Sequence, residues 1–304
     1  MRLRATSFSA AGWGRPGMAD EQLSEYIFDQ GTGRRVVAQG VANKYLRAPS
    51  TRWTSFFAQV AARLQWDAHA IDLAPDARAW RELPAERRER LTTLLAGFCV
   101  AEDAVAEHLA PFRDAARNSM VMWVLFLQRR DEDRHAVLFD RIAAEVLGLA
   151  GATKAERRDA ARAHAPEGVL ELFEERLPAV AAKLAAGRAG LEEGVGLYHM
   201  VLEGIVLSTG QHALLEDLED GALPGVRAGV ERVELDERWH IGFGLRCLID
   251  AQPSRDVLDG VLARAEEATV AWGDAVPAAT RARIAPMCRR RLAAAKLLDE
   301  RAAA

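Results

Sequence analysis

Two E-x-x-H sequences in this 304-residue chain, one at Glu132 and His135 and the other at Glu237 and His240, each lie in the middle of an apolar stripe with helical spacing. In the first stripe Val121, Leu125, Gln128, Glu132, His135, Phe139, Ile142 and Val146 follow in steps of four and three, which places all eight on one face of a helix. The second runs through Val226, Val230, Val233, Glu237, His240, Gly244 and Cys247. A third, Leu91, Leu95, Phe98, Glu102, Val105 and Leu109, carries a lone carboxylate at its centre. Faces this apolar belong in a core, where an unpartnered ionisable group is costly. The fold must therefore bring these groups to one another or to a metal.

Helix-forming residues dominate after position 50, and Gly and Pro mark the breaks. Helices are predicted at Arg52–Gln65, Pro84–Ala110, Asn118–Leu147, Lys154–Ala163, Val169–Ala186, Gly190–Leu218, Pro224–Asp250, Ser254–Gly273 and Ala278–Arg301. Long helices joined by short loops imply an antiparallel bundle, an all-α fold. In an antiparallel hairpin, residues equidistant from the turn share a height. Glu102 and Glu132 are equidistant from position 117, and Glu203 and Glu237 from position 220. Each hairpin thus sets a glutamate opposite an E-x-x-H, Glu102 with Glu132 and His135, and Glu203 with Glu237 and His240. The near-equal offsets between the two sets point to a duplicated helical hairpin.

Four carboxylates and two imidazoles meeting in a four-helix core form a ferritin-like dinuclear site. The alternative is a set of polar groups satisfied by one another or by solvent. Hard oxygen donors with two imidazoles favour iron or manganese over zinc or copper, and such ions, once reduced, react with O2.

The rest of the chain narrows the class. A formal charge of −4 provides no basic field for nucleic acid or an acidic membrane face, and no apolar run is long enough to span a bilayer. Cys99, Cys247 and Cys288 are scattered, without the spacing of a zinc ribbon or a disulfide framework. Met1–Met18 lacks the apolar segment of a secretory signal, so a cytoplasmic location is expected. Positions 1–50 read as an N-terminal arm with a short hairpin over Glu25–Gly40, and 51–304 as one helical domain. His69, His108, His164, His199 and His212 lack an acidic residue three positions earlier and receive no role.

Between Leu64 and Asp250 the chain resembles the ribonucleotide reductase small-subunit superfamily, and within it the ligand-binding oxidases that assemble a manganese/iron centre. The likeness runs through QWDAHAIDL, AEDAVAEHLAPF, DEDRH, YHMVLEGIVLSTG and LDERWH. It implies the metal ligands Glu102, Glu132, His135, Glu203, Glu237 and His240, holding Mn and Fe or two Fe, with O2 as oxidant. It also implies a self-made ether cross-link between Val105 and Tyr198. Helical geometry places Val105 on the Glu102 face but leaves Tyr198 about 140° from Glu203 at 100° per residue, so that pairing rests on the resemblance. By the same likeness Asp236 orients His135, with Trp66 beyond it, and the assembly is a homodimer that binds a long-chain fatty acid at its metals.

The chain departs from that pattern at Arg129 and Arg130, where the oxidases carry apolar and aromatic residues. Arg129 either reaches the cavity to pair with a ligand carboxylate or extends its charge to solvent. Phe139 stands where a reductase subunit would carry a radical tyrosine, and no tyrosine follows Tyr198. The expected activity is two-electron oxidation of a C–H bond. The alternatives are a reductase-type radical generator and a metal-storage or sensing bundle.

Overall fold

The structure, a computed structural model, describes residues 50–298, so the arm and its expected hairpin at Glu25–Gly40 lie outside the described residues. Within them the chain is all-α, with no strands. The principal elements are α1 (Ser50–Arg63), α2 (Ala85–His108), α3 (Ser119–Glu145), α4 (Lys154–Arg162), α5 (167–185), α6 (191–217), α7 (Pro224–Ala251), α8 (Arg255–Glu267), α9 (Ala278–Ile284) and α10 (Met287–Ala294). Helices α2, α3, α6 and α7 form the ferritin-like bundle and bury the three stripes. Helix α1 closes one side, with Trp53 and Phe57 packed on Phe243 at 5.6 and 5.7 Å between ring centroids. None of the described helices is long and apolar enough to cross a membrane.

Local signals start and stop these helices. The Asn118 side chain accepts from the Met120 N–H and opens α3, and Thr153 with Glu156 makes a capping box at α4. The start of α7 is capped from outside the helix. The buried Asp76 carboxylate accepts the N–H groups of Gly225 at 3.0 Å and Val226 at 2.9 Å, so a residue distant in the chain takes the place of an N-cap. Replacing Asp76 by alanine strands both donors, and a loss of about 1–3 kcal/mol is expected. A urea titration checks this as a lowered midpoint with unchanged slope.

The chain differs from the sequence reading in three places that matter. The segment expected as one helix over Ala278–Arg301 is divided between α9 and α10, because Pro286 has no N–H to continue the ladder. The predicted helix over Ser254–Gly273 leaves α geometry at Glu267 and passes through a tight turn, Ala268–Val270, to the buried Trp272. Near the centre of α6, Gly196–Leu207 is a π-helix, with i→i+5 hydrogen bonds.

Candidate metal centre

Glu102 on α2, Glu132 and His135 on α3, Glu203 on α6, and Glu237 and His240 on α7 meet at one level of the bundle, each no more than 1% exposed. They divide into two groups of three whose ligand-type atoms lie within 4.8 Å of one another, Glu102 with His135 and Glu237, and Glu132 with Glu203 and His240. The grouping exchanges two members relative to the hairpin arithmetic. Glu132 and Glu237 each reach across the bundle axis to the opposite hairpin, a span their flexible arms allow. Glu132 faces both histidines, with Oε2 at 3.2 Å from His135 Nδ1 and Oε1 at 3.0 Å from His240 Nδ1.

Both imidazoles turn Nδ1 inward and Nε2 outward. His135 Nε2 meets Asp236 at 3.2 Å, and His240 Nε2 meets Asp131 at 3.5 Å. An Nε2–H donated to each aspartate turns Nδ1 toward the glutamates, and release of the Nδ1 proton gives the tautomer a metal ligand needs. The bracing is reciprocal: Asp131 on α3 holds the histidine of α7, and Asp236 on α7 holds the histidine of α3. Trp66 Nε1 donates to the same Asp236 oxygen at 2.8 Å. Sequence reasoning missed Asp131, although a signal was present, since it precedes Glu132 as Asp236 precedes Glu237.

The site's electrostatics are those of anions crowded in a dry core. Burial pushes the Glu102 carboxyl up to about 7. Burial, reinforced by Glu102 and Glu203, raises Glu237 well above the carboxylate range. Burial opposes ionisation of Glu132 too, but the His135 and His240 rings outweigh it and hold this carboxyl below its ordinary value. Burial disfavours the charge on those rings, yet the carboxylates around them raise both well above the ordinary imidazole value, so without a metal they are imidazolium. Both oxygens of Glu102 and of Glu237, Oε2 of Glu203 and Nδ1 of His135 are buried without a hydrogen-bond partner. Native cores rarely strand polar atoms in this way. Unpaired carboxylate oxygens and an unpaired imidazole nitrogen aimed at a shared space fit a pair of hard or borderline cations.

Around this centre the π-helix settles the placement of Tyr198. Because i→i+5 bonding sets residues five apart on successive turns, Tyr198 and Glu203 face the same way, and the 140° separation expected of an α-helix does not apply. The Gln128 amide donates to the Tyr198 hydroxyl at 3.0 Å and to Glu203 Oε1 at 3.2 Å, and the Tyr198 hydroxyl donates to Glu132 Oε1 at 2.7 Å. Since the Gln128 amide nitrogen is spent as a donor, its oxygen accepts from His199 Nε2 at 3.1 Å. His199 therefore has a position in the network, though the E-x-x-H rule passed it over. Burial drives its pKa down to about 3, so it stays neutral. Val105 is buried one turn beyond Glu102 on the same face.

Arg129 stands apart from the six. Its side chain is 41% exposed, 3.8 Å from Asp133, at the edge of a cavity of about 240 Å³ shared with Arg113, Arg130, Leu125 and Phe126. The three cysteines are buried free thiols, and burial pushes Cys99 up to about 12 and Cys288 up to about 11.

No family model matches the chain. Solved structures do resemble it. An R2-like ligand-binding oxidase with aerobically reconstituted Mn/Fe cofactor after a long soak is 20% identical, and the match covers 81% of this chain and 92% of that one at a TM-score of 0.67. A variant of an R2-like ligand-binding oxidase with anaerobically reconstituted Mn/Fe cofactor is 21% identical, over 79% of this chain and 92% of that one, also at 0.67. Another variant, with a non-activated Mn/Mn cofactor, matches with the same identity, coverage and score. At this identity the likeness establishes the fold.

Proposed function

We propose that this chain is an O2-activating dinuclear metal oxidase, with Mn/Fe or Fe/Fe held by Glu102, His135 and Glu237 on one side and Glu132, Glu203 and His240 on the other. The observation that carries the reading is the pair of adjoining three-ligand clusters, both buried, with Glu132 turned to both histidines. Bound there, such ions supply electrons to O2 and the oxidising power for a C–H bond. The remaining work falls to the protein. Phe98 and Phe139, stacked at 5.0 Å, help keep the interior dry. The glutamates supply four carboxyl groups whose protonation can follow the charge of the ions, and the aspartates hold the imidazole tautomers.

Tyr198 and Val105 are the proposed internal reactants. Burial and the adjacent glutamates raise the Tyr198 pKa well above its ordinary value, so the phenol keeps its proton and is held by Gln128 with that proton directed at Glu132. The cross-link forms one C–O bond and breaks the Val105 C–H and Tyr198 O–H bonds. The two hydrogens leave as two protons and two electrons; with two further protons from solvent and two further electrons that bound ions would supply, they account for the reduction of one O2 to two waters. The apolar and cationic lining of the cavity beside Arg129 suits a fatty-acid-like ligand, and a cytoplasmic homodimer goes with the same reading.

The test is peptide mass spectrometry. Apoprotein is loaded anaerobically with Mn(II) and Fe(II), exposed to air and digested, alongside a sample never exposed to air. The expected result is one species joining the Val105 and Tyr198 peptides with the loss of two hydrogens, in the aerated sample alone. Separate, intact peptides after full metal loading and O2 consumption would rule out the cross-link and turn attention to an external substrate or to storage.

A further inference from the structure

We infer that Arg134 is the positioning residue that ties both histidines of the centre to one support, so that the two ions depend on a single guanidinium. The inference rests on the metal-centre reading above. It goes beyond that reading by assigning a role to a residue that touches neither cluster.

Arg134 lies on α3, one position before His135, and its side chain is 15% exposed. Its Nη2 is 2.7 Å from Asp131 Oδ1 and 3.2 Å from Asp236 Oδ2. These are the two aspartates that hold His240 and His135. The other end of the fork is fixed as well: Nη1 donates to Gln65 Oε1 at 3.1 Å, and the guanidinium carbon sits 5.4 Å from the centroid of the Trp66 ring. Trp66 in turn donates to Asp236, and Gln65 Nε2 reaches Asp131 at 3.5 Å.

The physical need is plain. Asp131 and Asp236 are fully buried and come close enough to share one donor, and two carboxylates brought together out of water repel each other unless a cation lies between them. A guanidinium meets this need with a rigid, planar set of donors that bonds in several directions at once. Because each aspartate braces the histidine of the opposite helix, fixing the two aspartates to one plane also fixes the orientation of both imidazoles. Loss of one aspartate loosens one imidazole, whereas loss of Arg134 loosens both.

Cobalt(II), which takes the same nitrogen and oxygen donors, is the probe. The full-length apoprotein is titrated anaerobically, with ion stoichiometry and affinity read by calorimetry and by visible absorption of the bound metal, and with a thermal melt for each variant. Wild type is expected to bind two ions. Asp236→Asn is expected to weaken one ion and Asp131→Asn the other, while Arg134→Gln weakens both by about ten- to a hundredfold, the usual scale for a residue behind the ligands. Arg134→Lys keeps the charge and loses the fork, and is expected to weaken at least one ion even if the glutamine variant does not fold.

An Arg134→Gln protein that melts lower yet binds both ions with wild-type affinity would reduce Arg134 to charge neutralisation and overturn the inference. So would a lysine variant indistinguishable from wild type at both ions. A wild type that binds no cobalt would overturn the metal-centre reading and this inference with it, whereas the variants above separate the two.

Discussion

Replacing Glu132 by alanine is expected to reduce metal binding from two ions to no more than one, with the residual affinity lowered at least about a hundredfold, more than is usual for a residue behind the ligands. The reason is that both clusters draw on this carboxylate. Its two oxygens lie 3.2 and 3.0 Å from the inward nitrogens of His135 and His240, and one of them also accepts the Tyr198 hydroxyl. It is also the glutamate of the four whose ionised form the surroundings most favour, because both imidazoles face it. Metal analysis after anaerobic loading and desalting checks the count. Glu237→Ala is the comparison: Glu237 groups with Glu102 and His135 alone, so its loss should spare the ion at Glu132, Glu203 and His240. A Glu132→Ala protein that retained two ions at wild-type affinity would show that the carboxylate is not shared.

The largest effect on stability is expected at Trp272, outside the four-helix bundle. The indole is 1% exposed, its ring centroid lies 5.0 Å from that of Phe98, and its Nε1 donates to the Val206 carbonyl within the π-helix at 2.7 Å. It occupies a slot left open by two glycines, since a Cβ on Gly97 or Gly210 would stand 2.5 or 2.6 Å from ring carbons. Trp272→Ala removes the ring and its hydrogen bond to the carbonyl, a loss of about 3–5 kcal/mol for the cavity alone. At about 2–4 °C per kcal/mol for a domain of this size, calorimetry should record a fall of roughly ten degrees. Trp272→Phe keeps most of the packing and should recover more than half of that loss. A melting temperature unchanged in the alanine variant would mean that the slot collapses without cost.

Much of the site is legible in the amino-acid sequence. Glu102, Glu132, His135, Glu237 and His240 stand out because charge in the middle of an apolar stripe is a local contradiction that only a shared site resolves, and Glu203 follows from its distance to the turn. The neighbouring residues are less legible. Asp131 is hidden among the charges of its own helix, and its partner, His240, is on another. Gln128 and His199 look like ordinary core positions until they are seen bonded to each other, with Gln128 also holding Tyr198. The grouping of the six also escapes hairpin arithmetic, which gives heights along the bundle but not the direction in which a glutamate arm crosses it.

The boundary between the two kinds of information is physical. Helical periodicity and hairpin symmetry are properties of short stretches of chain, so the all-α fold, the bundle and the level of the six ligand-type residues were determined by the sequence alone. The π register of Gly196–Leu207 was not, because the same residues would suit an α-helix. In the folded protein Trp272 and Arg291 donate to the carbonyls of Val206 and Gly204, and the side chains of Ser208 and Thr209 donate to those of Glu203 and Ile205. With this register Tyr198 faces Glu132. Trp272 and Arg291, far along the chain from the carbonyls they meet, reach this helix only by packing, and it is in the packed helix that the hydroxyl points at Glu132.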